Sequence, residues 1–159
     1  MVKRRAAWLV ATVFGVGTLR PAPGTWGALV AALAGAGLVA HPGWLAAGVV
    51  AASLAGVWAI PRVGGEHDPG WVVIDEVAGQ WLAMLGLAGG GLSGWRLAVW
   101  VAAVFVAFRV LDVAKPGPVG WADRHDGPGW VVADDLVAGG MTAGMVLAGR
   151  LAAVWLSGA

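Results

Sequence analysis

The chain of 159 residues has no cysteine and few charged side chains, and both absences restrict what it can be. Without cysteine there is no disulfide, no thiol nucleophile and no cysteine-ligated zinc. Only 12% of the residues are charged, which is about half the usual share. The net charge of +1 gives no bulk attraction to nucleic acid, so we expect no nucleic-acid partner.

Apolar residues take up 59% of the sequence, and the mean hydropathy is +0.79. This composition predicts an all-α integral membrane bundle of about four to five apolar helices, in a single domain over residues 1–159. The run Ala6–Leu19 has 14 residues, fewer than the roughly 20 that a span needs, so we expect a short or re-entrant N-terminal segment. The predicted helices cover about 25–41, 44–61, 75–89, 95–113 and 133–156. The segment Lys115-Pro116-Gly117-Pro118 must stop the fourth of them.

The charged residues fall at one end of this predicted bundle. All nine acidic residues lie between Glu66 and Asp135, and eight of the ten basic residues join them if the N terminus is on that side. Only Arg96 and Arg150 are left for the other face. The positive-inside rule then predicts a multi-pass membrane protein with its charged face in the cytoplasm.

Two stretches of the sequence repeat one pattern, an apolar lead-in followed by an acidic pair. Residues 69–76 (PGWVVIDE) align with residues 128–135 (PGWVVADD) at a shift of 59 positions. Acids in the first turn of a helix could simply offset its dipole. Because similar units tend to pack symmetrically, we favour two facing elbows whose carboxylates share a cation. Gly79 and the Gly139-Gly140 pair would let the two helices come close enough to share one ion. Oxygen ligands favour Mg²⁺ or Mn²⁺, and the predicted metal ligands are Asp75, Glu76, Asp134 and Asp135.

Basic side chains flank these acids. They could form ion pairs with the aspartates and extend toward the membrane interface. The alternative is a phosphate site, since arginine offers a fork of donors and lysine a point charge. The loop Gly17–Gly24 would add backbone N–H donors, with Thr25 as the N-cap of the helix that follows. The predicted phosphate-binding residues are Arg20, Thr25, Arg109 and Lys115.

The histidines are weaker candidates for metal ligands. His67-Asp68 and His125-Asp126 are two similar dipeptides, but the third histidine, His41, falls at the opposite face. We favour a structural role, or a role in supporting the metal ligands, over direct coordination.

A metal beside a phosphate site at a membrane surface predicts phosphoryl chemistry on a lipid headgroup. Without cysteine there is no cysteine–arginine phosphatase loop, and the sequence has no Asp-x-Asp motif for an aspartyl-phosphate enzyme of that design. Metal-activated water and an aspartate nucleophile both remain open. The candidate catalytic carboxylates are Asp112, Asp123 and Asp135.

Three blocks of this sequence resemble the phosphatidylglycerophosphatase A family over nearly the whole chain. They are GVGTLRPAPGTWGAL at 15–29, HDPGWVVIDEVAGQW at 67–81, and FRVLDVAKPGPVGWAD at 108–123, which GWVVADDLVAG continues at 129–139. The Arg-x-x-Asp-x-x-Lys-Pro-x-Pro core of the third block is the most specific signal. The resemblance implies a Mg²⁺-dependent enzyme of the bacterial inner membrane that converts phosphatidylglycerophosphate to phosphatidylglycerol.

Position by position, the resemblance nominates residues in all three blocks. Two departures stand out: Ala28 occupies the place of an expected small hydroxyl residue, and the spacing from Asp123 to Asp134 is one residue short. The second departure leaves the roles of His125 and Asp126 open. The nominated residues are Arg20, Pro23, Gly24, Thr25, His67, Asp68, Asp75, Glu76, Arg109, Asp112, Lys115, Asp123, Asp134 and Asp135.

Two other functions stay open from the sequence. One is transfer of a phospho-alcohol between lipids with a nucleotide donor, although the spaced Asp-Gly…Gly…Asp…Asp pattern of such enzymes is not visible. The other is a small ion or solute transporter, although the charges lie at one face and not at the bilayer centre. The sequence also leaves open the metal count and whether the chain forms a homo-oligomer.

Overall fold

The structure is a computed structural model that describes residues 2–64 and 69–156. Over these residues the chain forms seven α-helices, which confirms the predicted all-α bundle. Short 3-10 turns cover Val16–Thr18 and Leu85–Leu87. The helices are α1 (Val2–Ala11), α2 (Pro23–Ala36), α3 (Pro42–Val63), α4 (Ile74–Met84), α5 (Gly94–Ala114), α6 (Pro118–Asp123) and α7 (Pro128–Leu156).

Three of the described helices, α3, α5 and α7, are long and apolar enough to cross a membrane. In contrast, α2 has 14 residues and α4 has 11. At 1.5 Å per residue they rise only about 21 and 16 Å, less than the roughly 30 Å hydrocarbon core. The helix predicted at 25–41 ends early, at Ala36, because Gly35 and Gly37 lower the helical propensity there.

The N-terminal helix is short, as predicted. It ends at Ala11, and Val13 and Phe14 then adopt left-handed backbone angles that interrupt the helical path. The buried residues Ala7 and Ala11 belong to one cluster with Ala59 of α3. The Val73 N–H donates to the Ala11 carbonyl at 2.8 Å, so α1 is tied to the residue just before α4.

The α4 helix lies at the centre of the bundle and contacts α7 most closely. A Cβ on Gly139 would overlap the Gly79 carbonyl oxygen, and a Cβ on Gly79 would lie 2.6 Å from the Asp135 carbonyl oxygen. The two backbones therefore touch, as the glycines of the sequence predicted. Gly140 does not take part, because its Cβ would meet only Leu82, at 3.9 Å.

Several helix ends differ from the predictions. The α7 helix begins at Pro128, so its aspartates lie beyond the first turn rather than in it. Proline at the first helical position explains this early start, because its ring angle is already helical. The N-cap of α2 is Ala22 with Pro23 next, so Thr25 is not the cap. Lys115 ends α5 in a left-handed conformation before Pro116, where the sequence predicted the stop.

Candidate active site

A cavity of about 290 Å³ opens where the charged helix ends meet. The N-terminal parts of α2, α4 and α7 contribute to it, together with the C-terminal end of α5. Half of its fourteen lining residues are charged, which is unusual in so apolar a chain and makes it the candidate functional site. The charged lining residues are Asp75, Glu76, Arg109, Asp112, Lys115, Asp134 and Asp135.

Three carboxylates from three helices converge in this cavity. Oxygen atoms of Glu76 (α4), Asp112 (α5) and Asp135 (α7) all lie within 4.8 Å of one another. Asp112 is 8% exposed and Asp135 is 4% exposed, so little solvent screens them. Like charges at this separation repel unless a cation lies between them, and hard divalent cations take such oxygen ligands. We call these residues the carboxylate trio.

The other two predicted metal ligands lie beside the trio. Asp75 and Asp134 are both buried and line the same cavity. One Asp75 oxygen accepts the Glu76 N–H at 2.9 Å, and Asp134 accepts a hydrogen bond from Lys115 Nζ at 3.1 Å. The four predicted ligands thus share one cavity, but the closest set includes Asp112, which sequence reasoning had assigned to catalysis. The sequence signal for this was the spacing of three residues from Arg109 to Asp112, which places both side chains on one face of α5.

Arg109 is held between two members of the trio. It forms ion pairs with Glu76 and, at 2.7 Å, with Asp112. Its Nε–H is buried and has no hydrogen-bond partner among the described residues. A buried donor without a partner is unfavourable, so an oxygen of a bound anion at this point would be stabilised.

Lys115 joins the cavity to α6. Its ammonium forms ion pairs with Asp123 and Asp134. Burial by itself would lower the Lys115 pKa, but the hydrogen bonds to Asp123 and Asp134 outweigh it, so the pKa is raised and the side chain stays protonated at neutral pH. Asp123 is not among the residues that line the cavity, and 42% of its side chain is exposed. It therefore contacts the site through Lys115.

The described lining residues carry more negative than positive charge. Five carboxylates face the cavity with two cations, Arg109 and Lys115. A divalent cation would offset this excess, whereas without one some of the carboxylates would have to take up protons. The donor set is entirely oxygen, which fits Mg²⁺ or Mn²⁺.

The first turn of α2 forms one wall of the cavity. Ala22, Pro23 and Gly24 line it, and a helix N-terminus directs free N–H groups at an anion. A Cβ on Gly24 would overlap Glu76 Oε1 and lie 3.2 Å from Arg109 Nη2, so a side chain here would displace the Glu76 carboxylate. Gly17, predicted to belong to this loop, instead packs against the Trp71 carbonyl.

Some predicted site residues are not brought to the cavity. Arg20 is exposed and Thr25 is half-buried, and neither is among the lining residues. His125 stacks on Trp130 at 4.3 Å, and its Nδ1 lies 2.8 Å from the Trp121 carbonyl oxygen, so it has a structural role. His67 and Asp68 lie outside the described residues.

Comparison with known proteins gives the family. The model of the Phosphatidylglycerophosphatase A family matches residues 9–150. Phosphatidylglycerophosphatase A of Escherichia coli (strain K12) is 38% identical over 84 residues, which cover 52% of this chain but only 45% of that protein. A protein of Bacteroides thetaiotaomicron named "Putative phosphatidylinositol-3-phosphatase" is 33% identical over 139 residues, 82% of this chain and 85% of that protein. No solved structure matches the chain.

The family match and the long apolar helices together indicate a bacterial membrane protein. The family match extends from α1 into α7 and includes every residue that lines the charged cavity. The chain therefore belongs to the phosphatidylglycerophosphatase A family.

Proposed function

We propose that this protein is a Mg²⁺-dependent lipid phosphatase that hydrolyses phosphatidylglycerophosphate to phosphatidylglycerol and inorganic phosphate. The observation that carries the proposal is the carboxylate trio, placed beside Arg109 and Lys115 at the charged end of an apolar bundle. Family membership supports the same reaction. Both cations are suited to a phosphate monoester, which is dianionic near neutral pH.

The trio would hold the metal, with Asp75 in the same cavity as a further oxygen ligand, while Asp134 accepts a hydrogen bond from Lys115. A bound Mg²⁺ supplies a Lewis acid for a phosphoryl oxygen and lowers the pKa of a water molecule. Arg109 would bind phosphoryl oxygens with the Nε–H that has no partner among the described residues. Lys115 and the first N–H groups of α2 would share the remaining negative charge.

The reaction needs an in-line attack on phosphorus. An attacking water forms the new P–O bond, and the bond from phosphorus to the terminal glycerol oxygen breaks. Cavity carboxylates outnumber the cations, so one of them can accept the proton of the water. The glycerol oxygen leaves as the free hydroxyl of the product, taking up the proton that the carboxylate received from the water. The headgroup enters the charged cavity, which opens where the charged helix ends meet.

A second candidate substrate is phosphatidylinositol 3-phosphate, which the name of the Bacteroides relative suggests. Both lipids carry a phosphate monoester on the headgroup, so the trio, Arg109 and Lys115 would bind the phosphate of either lipid in the same way. Selectivity would come from the headgroup that carries the phosphate. The two candidates therefore differ in substrate and not in reaction.

The test is phosphate release by the purified protein in detergent micelles. Each lipid is offered separately, with Mg²⁺, with Mn²⁺ and with a chelator. We expect metal-dependent release from phosphatidylglycerophosphate at a higher kcat/KM than from phosphatidylinositol 3-phosphate. The reverse order would favour the second candidate. No release from either lipid would contradict a phosphatase and favour transport, and product formed only with a nucleotide-activated lipid would favour the transferase.

Gly24→Ala is expected to lower phosphate release by about a hundredfold, because a displacement of about 1 Å at a reacting centre has that effect. The new methyl group would overlap Glu76 and crowd Arg109. Gly43→Ala is a matched control, since Gly43 also follows a proline at a helix start but has open space around its Cβ position. Equal activity of the two variants would contradict the close contact between Gly24 and the Glu76 carboxylate. Thermal unfolding of both variants checks that the fold is kept.

A further inference from the structure

An apolar groove of about 340 Å³ runs between α2 and α5. Leu29, Ala32 and Ala36 form its α2 side, and Ala98, Ala102 and Phe105 are among the residues on its α5 side. Ala98 and Ala102 are exposed in the described chain, so the groove is open along the side of the bundle. Hydrocarbon is the kind of ligand that such a lining accepts.

The groove and the charged cavity lie one after the other along one face of α5. Ala98, Ala102, Phe105 and Arg109 follow at spacings of four, three and four residues, so they share that face. Phe105 lines the groove, and Arg109, one turn further on, lines the cavity. On α2, Leu29 lies in the groove, and Ala22 to Gly24 lie in the cavity. The same two helices, α2 and α5, therefore line both the groove and the charged cavity.

The groove begins one helical turn away from the charged cavity and extends toward the far end of α5. Phe105, at its near end, is four residues, or about 6 Å, from Arg109. From Phe105 to Gly94 the helix advances a further eleven residues, about 16 Å. An acyl chain attached to a headgroup in the cavity would enter the groove at Phe105 and follow α5 toward Gly94.

A second apolar groove of the same volume, about 340 Å³, lies between α2, α3 and α4 and serves as an internal comparison. Its α2 residues Ala31 and Ala34 share a helix face with Gly27 and Gly24. Between them, Gly27 is covered by Val73, whose Cβ would lie 2.7 Å from an added methyl group and which is fully buried. This packing separates the second groove from the charged cavity.

We propose that the α2–α5 groove binds one acyl chain of the phospholipid whose phosphate lies in the charged cavity. The proposal rests on the proposed lipid phosphatase function and adds to it a recognition site for the hydrophobic part of the substrate. The groove orients the lipid so that its headgroup phosphate enters beside Arg109. A substrate without acyl chains would still fit the cavity but would lack this contribution to binding.

The test compares Ala98→Phe, which fills the α2–α5 groove, with Ala34→Phe, which fills the separated groove. Both positions are exposed alanines on helices. Each variant is assayed on dioleoyl phosphatidylglycerophosphate in micelles and on the deacylated, water-soluble headgroup phosphate. We expect Ala98→Phe to raise KM for the dioleoyl lipid by at least about tenfold, which corresponds to about two methylene groups no longer buried. Its kcat/KM for the soluble compound should equal that of the wild type, and Ala34→Phe should match the wild type on both.

Two results would overturn the proposal. One is an Ala98→Phe variant with an unchanged KM for the dioleoyl lipid. The other is an equal loss on both compounds, which would place the defect in the charged site. Ala102→Val, a smaller change in the same groove, replaces Ala98→Phe if thermal unfolding shows that the latter is misfolded. If the wild type released phosphate from neither compound, the proposed function would fail, so the two failures are distinguishable.

Discussion

Asp135→Asn is expected to lower metal-dependent phosphate release by at least about a thousandfold, because a bound cation contributes several kcal/mol of charge stabilisation. Asp135 is 4% exposed and belongs to the carboxylate trio. Asparagine keeps the shape of the side chain but removes the charge that a cation would need. The measurement is kcat/KM for phosphatidylglycerophosphate over a range of Mg²⁺ concentrations.

Asp134→Asn is the matched variant, since it changes the neighbouring residue in the same helix. Asp134 accepts a hydrogen bond from Lys115 rather than belonging to the trio. Loss of one such bond is expected to reduce activity about tenfold. Thermal unfolding with and without Mg²⁺ provides a readout independent of turnover: the ion should stabilise the wild type and Asp134→Asn but not Asp135→Asn. Full activity of Asp135→Asn at limiting Mg²⁺ would refute the assignment of the trio.

The second large effect is expected from Gly139→Ala, which should both destabilise the protein and inactivate it. The added methyl group would overlap the Gly79 carbonyl oxygen, and backbone atoms cannot move aside as side chains can. Overpacking of this kind costs about 3 kcal/mol, at the upper end of its usual range. Separating α4 from α7 would also move Glu76 away from Asp135. The measurements are thermal unfolding in detergent and phosphate release.

Gly140→Ala is the control for this substitution. Its methyl group would meet Leu82 at 3.9 Å, an ordinary contact, and Gly140 is exposed. Alanine also favours the helix over glycine by up to about 1 kcal/mol. We therefore expect wild-type activity and an unfolding temperature that is equal or slightly higher. Equal destabilisation by the two neighbouring substitutions would show that α4 and α7 are not in backbone contact.

The general architecture could be predicted because hydropathy and breaker residues are local signals. The apolar runs gave the long helices, and the Lys115–Pro116 junction gave the end of α5. The early start of α7 was missed although Pro128 at its first position is a recognised helix-start signal. The α6 helix has only six residues, too few to produce a periodic pattern.

The candidate site was only partly predictable, because its geometry depends on contacts between distant segments. The repeated acidic pairs led to one cavity, which contains all four carboxylates of the two elbows. Pairing by sequence similarity did not show that Asp112 of α5 lies nearest to Glu76 and Asp135, since that depends on how α5 packs on α4 and α7. Nor could it show that Arg20 lies on the exposed surface, because a loop contains no periodic signal that fixes side-chain direction. Metal binding and phosphate binding by these residues stay predictions.

The carboxylate trio has a consequence for how the protein matures. Its three members come from three separate helices, so no consecutive pair of membrane segments contains all of them. A chain still leaving the insertion machinery, with α7 not yet in place, would lack Asp135 and therefore a complete cation cage. Turnover should accordingly begin only when α7 has been integrated, which would make phosphate release a direct reporter of the insertion of this helix.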